Sequence, residues 1–422
     1  MEAIVDRVKP PRVLFAATSW WALGARLCLR FVERGIYAST LSPLGHPLRH
    51  VPGAGRAHTY RTLSSLASLE RALEIEQPAQ IVPCNDEVVW QLHSLYRARP
   101  KWRPLIEASL GDPRMHDVVR SRNDLLTLAV ELGIPVPETA PVRSEDELAR
   151  WLDRFGPKAV LKVDGSSGGQ GVRIVRSSEE AVQAFRMLSQ RMTLSTALKR
   201  AIINGEALPL WAWRHAPPPS VTVQRFVDGH PANVMLACSR GRVLGAVCVE
   251  VLFVEGQTGA AVVVRIIDSP PILKAARLLV ERLGLTGFCG LDFVVDSATS
   301  IPYLIELNPR CTQLGHLSLP GQGDLAGLFI ADVLGVRPGD PPPAIPQAVI
   351  GLFPQCVKLG RVDPTRSDIH YDIPTEHPAL AAELVKPAWP ERRLIARCYH
   401  RFRSPQYASM IDAQPNKGAV GV

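Results

Sequence analysis

Residues 160–175 read VLKVDGSSGGQGVRIV. An apolar run carrying one lysine, Lys162, breaks into Gly165, Ser166, Ser167, Gly168, Gly169, Gln170 and Gly171 and resumes at Val172. The pattern predicts a strand, a turn-rich loop and a second strand. Glycines let backbone N–H groups turn towards an anion with no Cβ in the way, and a lysine at the mouth of the loop adds a compact positive charge. That is the chemistry of a lid over phosphates. The spacing excludes a Walker A loop, because no Gly-Lys-Ser/Thr follows the glycines and no helix opens after them. It also excludes a dinucleotide fingerprint, because a strand follows where a helix should. A loose hairpin on a Gly-rich loop would use the same residues, and this stretch alone does not choose between the two.

Residues 287–310 read GFCGLDFVVDSATSIPYLIELNPR, two strands about a polar turn at Asp296–Ser300. Asp292 lies on the first strand, and Glu306 and Asn308 at the end of the second. If the strands pair as a hairpin, the two carboxylates meet on one face. Two carboxylates and an amide oxygen make a hard-oxygen site suited to Mg²⁺ held together with substrate phosphates. Solvent-facing strand carboxylates are the alternative, but Glu306 is embedded in YLIEL, and a carboxylate in a buried run needs a cation or a donor. Arg310, two residues past Asn308, has a planar fork that suits the same phosphates.

A strand lysine before a Gly-rich hairpin, followed by Asp…Glu-x-Asn-x-Arg on a later hairpin, resembles the ATP-grasp superfamily, from Arg122 to Leu334. The resemblance implies a two-subdomain ATP-grasp fold behind a small N-terminal parallel α/β domain, an α/β and α+β multidomain chain. It implies an ATP-dependent carboxylate–amine ligase that uses ATP and Mg²⁺, with Mn²⁺ as a substitute, and takes a small-molecule carboxylate and an amine. A kinase or carboxylase on the same site, or a non-catalytic nucleotide-binding protein, are the rival readings. By position, the resemblance assigns Lys162, Ser166, Ser167, Gly168 and Gly169 to the phosphates. The backbone of Gln224, Arg225 and Phe226 goes to the adenine and Asp228 to the ribose. Asp292, Glu306 and Asn308 go to the metal, and Arg310 and Lys162 to catalysis. The family more often has Glu where Gln224 or Arg225 stands. Asp124 occupies the usual slot of a phosphate-touching lysine, which leaves Arg122 as its substitute or as a solvated helix-start arginine. Homodimers are common in the family.

The elements that must position these residues follow in order. Residues 12–41 read strand, helix, strand, which favours a parallel sheet, and the lone Gly24 after the first strand excludes a dinucleotide site. Gln80–Pro83 is a strand running into Cys84, Asn85, Asp86 and Glu87. Ligands bind there in open α/β sheets, and an N-cap for the next helix explains the cluster equally well. Residues 121–132 predict a helix stopped by Gly133, and 177–188 a second helix behind the lid. Residues 192–219 read as an insertion, with a helix over 194–204 and a Pro-rich loop. Strands are expected at 221–227, 233–237, 242–251 and 260–267, and a helix at 272–283. Arg265 is expected to be a sheet-face arginine, and His316 a structural histidine. The implied domains are 1–118, 119–220 with the Gly-rich lid, 221–338 with the metal site, and a C-terminal extension, 339–422.

The chain has 422 residues, 46% hydrophobic and 21% charged, as in a globular protein. No apolar run reaches the roughly 18 residues of a membrane span, and MEAIVDRVKPPRVLF lacks a signal-peptide core. The eight cysteines are scattered with no Cys-x-x-Cys, which points to reduced core thiols and a cytoplasmic protein. A net charge of +8 with dispersed basic residues favours small anionic substrates over nucleic acid.

Overall fold

The computed structural model describes residues 11–19, 22–163, 171–190, 193–203, 213, 220–256, 259–320 and 323–387. Strands β1 (Arg12–Ala16), β2 (Tyr37–Ser42), β3 (Ala57–Thr59) and β4 (Gln80–Pro83) form a parallel sheet in the order β3-β2-β1-β4. Strand β3, a three-residue edge with no apolar run, is not legible in the sequence. Helix α1 (Gly24–Glu33) covers one face with α2 (Ser65–Glu76) and α3 (Asp86–Ala98) on the other, so β1, β2 and β4 are buried on both sides. Gly24 is required by packing: a Cβ there would overlap the Cys84 sulfur at the end of β4.

Helices α4 (Arg103–Leu110) and α5 (His116–Arg120) lead to α6 (Arg122–Glu131), whose cap is Ser121, its Oγ accepting from Asp124 N at 3.2 Å. The smaller antiparallel sheet follows in the order β5-β8-β6-β7, made by β5 (Thr139–Val142), β6 (Ala159–Val163), β7 (Val172–Val175) and β8 (Val221–Arg225). Helices α7 (Glu145–Phe155) and α8 (Ser178–Ser189) pack on one face of it, and α9 (Leu194–Ile203) begins the insertion. β6 and β7 pair from Ala159↔Val175 to Lys162↔Val172, so the strand–loop–strand reading holds. Ser166, Ser167, Gly168 and Gly169 lie outside the described residues.

The main sheet has seven strands in the order β13-β12-β9-β10-β11-β16-β17. They are β9 (Gly229–Ser239), β10 (Arg242–Val254), β11 (Ala261–Ile266), β12 (Gly287–Asp296), β13 (Pro302–Asn308), β16 (Val349–Gly351) and β17 (Ile369–Tyr371); the two-residue β14 (Ser318–Leu319) and β15 (Gly323–Asp324) pair apart from it. Strands β9 and β10 run longer than the apolar runs suggest, because they continue past the core into a half-exposed ribbon. β16 and β17, from the segment beyond the Pro-rich stretch, extend this sheet at its edge.

Helix Pro270–Leu283 and α6 bury one face of the sheet with Leu291, Phe293, Leu304 and Leu307. The other face packs against helix Leu325–Val333 and the N-terminal domain in one continuous core. Phe31 of α1, Phe288 of β12 and Phe329 lie with ring centroids 4.8–6.0 Å apart. Two buried ion pairs reinforce that seam. Arg26 donates to Asp372 Oδ1 at 2.7 Å, and Asp372 Oδ2 meets His316 Nε2 at 2.7 Å. Arg34 pairs with Asp324, the N-cap of helix Leu325–Val333. The N-terminal domain is therefore fixed to the main sheet.

Candidate active site

β12 and β13 are antiparallel with Asp292 directly opposite Glu306, and one bulge follows between Asp292 and Phe293. Leu291 and Phe293 point into the core beneath, so alternation sends Asp292 to the opposite face, with Glu306 beside it. Asn308 donates Nδ2 to Asp292 Oδ2 at 3.0 Å. Asn233, aligned with Asp292 on β9, donates Nδ2 to the other oxygen, Oδ1. Burial, with the neighbouring Glu306 charge, pushes the Asp292 carboxyl up to about 6 against the pull of the two amides and Arg310. Glu306 accepts from Arg122 Nη2 at 3.1 Å. Arg122 is therefore not a solvated helix-start arginine; its side chain is buried between α6 and β13.

Lys162 reaches the same place from the other sheet. Its Nζ donates to Gln224 Oε1 at 2.8 Å, and Gln224 Nε2 donates to Thr139 Oγ1 at 3.0 Å, a polar chain through the adjacent strands β6, β8 and β5. Lys162 is 5% exposed, and its hydrogen-bonded side-chain partner, Gln224, is neutral. Burial first, and then the Arg122 charge, pull its ammonium down to about 7; Glu306 and Asp292 act in the opposite direction. Lys162, Arg122, Glu306 and Asp292 thus share one electrostatic site built from both sheets.

Arg310 turns towards the N-terminal domain. Its Nε donates to Asp86 Oδ2 at 3.0 Å and its Nη2 to Asn308 Oδ1 at 3.0 Å. Asp86 opens α3. Asn85 stands at the N-cap position of that helix, but its side chain makes no cap bond there. Asn85 instead accepts from Thr18 N at 3.0 Å and donates to Thr18 Oγ1 at 2.7 Å, tying together the turns that follow the neighbouring strands β1 and β4.

The remaining expected residues lie along one rim. Phe226 lies under Lys158 Nζ, 4.1 Å from its ring centroid, and Asp228 is 3.3 Å from the same ammonium. Arg225 pairs with Glu138 and lies 5.7 Å from the Tyr303 ring. Arg265 pairs with Glu250 at 2.9 Å on the sheet surface, and His316 is buried against Asp372, both as expected.

Sequence reasoning missed Asn233 and Lys158, placed Asp86 only within a polar cluster after a strand, and treated Gln224 only as backbone. Asn233, in the apolar strand PANVML, carried a signal: a buried strand amide needs partners. For Asp86 the polar cluster was visible but its partner Arg310, 224 residues away, was not.

Residues 126–313 match the model of an ATP-grasp domain. The carbamoyl phosphate synthase large chain of Thermomicrobium roseum is 22% identical over 197 residues, 46% of this chain and 17% of that protein. The chain therefore spans only about a sixth of the length of that curated relative. Among solved structures, the N5-carboxyaminoimidazole ribonucleotide synthetase of Thermus thermophilus superposes with a TM-score of 0.55 at 19% identity, covering 78% of this chain and 79% of that one. The biotin carboxylase domain of the Hydrogenobacter thermophilus 2-oxoglutarate carboxylase, in complex with MgADP, ADP and bicarbonate, superposes with a TM-score of 0.54 at 16% identity, covering 77% and 70%. These likenesses extend the common fold beyond the matched domain into the N-terminal sheet. The strand of Lys162 and the hairpin of Asp292 and Glu306 both fall within the matched residues, so the part of the chain that matches an ATP-grasp domain is the part that carries the site.

Proposed function

We propose that the protein is an ATP-dependent ligase that activates a carboxylate as an acyl phosphate and joins it to an amine, releasing ADP and phosphate. One observation carries the reading: Asp292 and Glu306 face each other in register on the sheet face that Lys162 and Arg122 also reach. A rival without turnover would not need four charged groups drawn from two sheets and a helix into one site.

The donor set fits a divalent cation. Two carboxylates are crowded together, and the charge of one raises the pKa of the other, which is the environment that Mg²⁺ or Mn²⁺ relieves. Asp292 and Glu306 would hold it, with Asn308 turning its amide oxygen from Arg310 to join them. The ion would offset charge on the phosphate oxygens. Phosphoryl transfer asks the protein mainly for positioning and charge neutralisation. Arg122 supplies fixed positive charge, Lys162 a charge that phosphate would stabilise on arrival, and Arg310 a bidentate fork at the N-terminal side of the cleft. Phe226, Lys158 and Asp228 line the rim assigned to adenine and ribose. The carboxylate oxygen attacks the γ-phosphorus and ADP departs; the amine then attacks the acyl carbon and phosphate departs. No protein nucleophile takes part.

The likeness to a biotin carboxylase domain in complex with bicarbonate favours bicarbonate as a second candidate carboxylate, which would make the chemistry a carboxylation. Small-molecule substrates and a cytoplasmic setting are part of the proposal; no helix among the described residues is long and apolar enough to cross a membrane. The test is phosphate release across paired carboxylates and amines, bicarbonate included, with products identified by mass. Glu306→Gln is expected to lower turnover by about a hundredfold or more. Turnover that survives this change refutes the assignment.

A further inference from the structure

Arg310 has the wrong company for a residue waiting on phosphates. Its side chain is 11% exposed. A buried guanidinium must be compensated; in its own domain Asp292 acts on its charge, and its Nη2 donates to Asn308, which itself donates to Asp292. The hydrogen-bonded counter-ion instead comes from the other domain: Asp86, at 3.0 Å from Nε. Asn85 locks the turn carrying Asp86 to the turn after β1, through three contacts with Thr18 and Ser19. The Phe31–Phe288–Phe329 seam and the buried Arg26–Asp372–His316 set hold that domain against the main sheet.

We infer that Asp86 is a positioning residue of this site: it holds the Arg310 guanidinium away from the Asp292–Glu306 carboxylates, keeping them available to a cation and the arginine available to the anionic substrate. The N-terminal domain is then a working wall of the site. Without Asp86, the guanidinium has one strong alternative, the carboxylate pair itself, and it would compete there with the metal. The inference rests on the metal role proposed for that pair.

The test is Mn²⁺ binding in the presence of ADP, followed by electron paramagnetic resonance, which needs no turnover. Asp86→Asn is expected to weaken Mn²⁺ about five- to tenfold, the effect of a misplaced like charge at the site. Asp86→Glu is expected to recover part of the loss. In the double variant Asp86→Asn/Arg310→Gln, Mn²⁺ affinity returns to within about twofold of wild type, because no guanidinium remains to occupy the carboxylates. A merely structural role for Asp86 would leave the double variant as weak as the single. Either that result, or an Asp86→Asn variant that binds Mn²⁺ like wild type, overturns the inference. If Glu306→Gln also fails to weaken Mn²⁺, the metal reading itself falls and the inference with it. If Glu306→Gln weakens Mn²⁺ and Asp86→Asn does not, only the inference falls.

Discussion

Lys162 and Asp292 are both held near neutrality by the fold, and this sets a narrow pH window for nucleotide capture. Burial and the Arg122 charge bring Lys162 to about 7, while burial and Glu306 bring Asp292 to about 6. In the roles proposed above, capture needs Lys162 charged and Asp292 ionised. The competent form therefore exists mainly between these values, and kcat/KM for MgATP should be bell-shaped, because it reports the free enzyme. With limbs at these values, about 0.6 of the protein is competent at pH 6.5, and kcat/KM should be about 20-fold lower at pH 8.5. Phosphate beside Lys162 raises its pKa, and a cation beside Asp292 lowers that of the carboxyl, so kcat should be much flatter. Nucleotide binding at pH 8 should take up a proton, visible by calorimetry in buffers of different ionisation enthalpy. Gln224→Glu puts a carboxylate where Oε1 now lies, 2.8 Å from Nζ. An opposite charge that close should move the alkaline limb up by about one to three units and restore most of the lost kcat/KM at pH 8.5. An alkaline limb near 10.5 in wild type, or one that Gln224→Glu leaves in place, would refute the reasoning.

Two further changes separate stability from function. Lys162→Met should abolish tight MgATP binding yet raise the unfolding free energy at pH 7 by on the order of 4 kcal/mol, because the fold lowers this ammonium's pKa by more than three units. The folded protein binds fewer protons than the unfolded between about 7 and 10.5, so the cost is full below that window and gone above it; urea melts at pH 6 and pH 10.5 read it directly. Asp372→Asn should destabilise by about 3–5 kcal/mol in the same melts, since it leaves Arg26 buried without its carboxylate.

The sequence made the chemistry readable where the residues that act together lie on one hairpin. Asp292 and Glu306 flank a polar turn, so alternation alone put them on one face, and the structure pairs them directly. Lys162 was legible from its place in a β-branched run. Arg122 was only half legible: its position at a helix start was plain, but its burial against Glu306, 184 residues on, was not. Asp86 looked like part of a helix cap because local spacing reports only local partners. The same limit applies to the Arg26–Asp372–His316 set, whose members are brought together by the seam between domains. Strands β3 and β17 escaped because three-residue strands carry too little period to read.

The pairings among the site residues give the arrangement its logic. Lys162 rests on a neutral amide, Arg122 on Glu306, Arg310 on Asp86, and Asp292 on two amide donors. Each charge is compensated by a partner weaker than, or different from, the one its proposed role demands. A phosphate chain and a divalent ion would exchange these partners without assembling a new constellation, because backbone register already sets the positions. Gln224 matters most in this account. A carboxylate there would hold Lys162 charged at all physiological pH, whereas the amide lets the charge follow the arrival of phosphate. The proton taken up at pH 8 when nucleotide binds is the direct measure of that poise, and Gln224→Glu should reduce it.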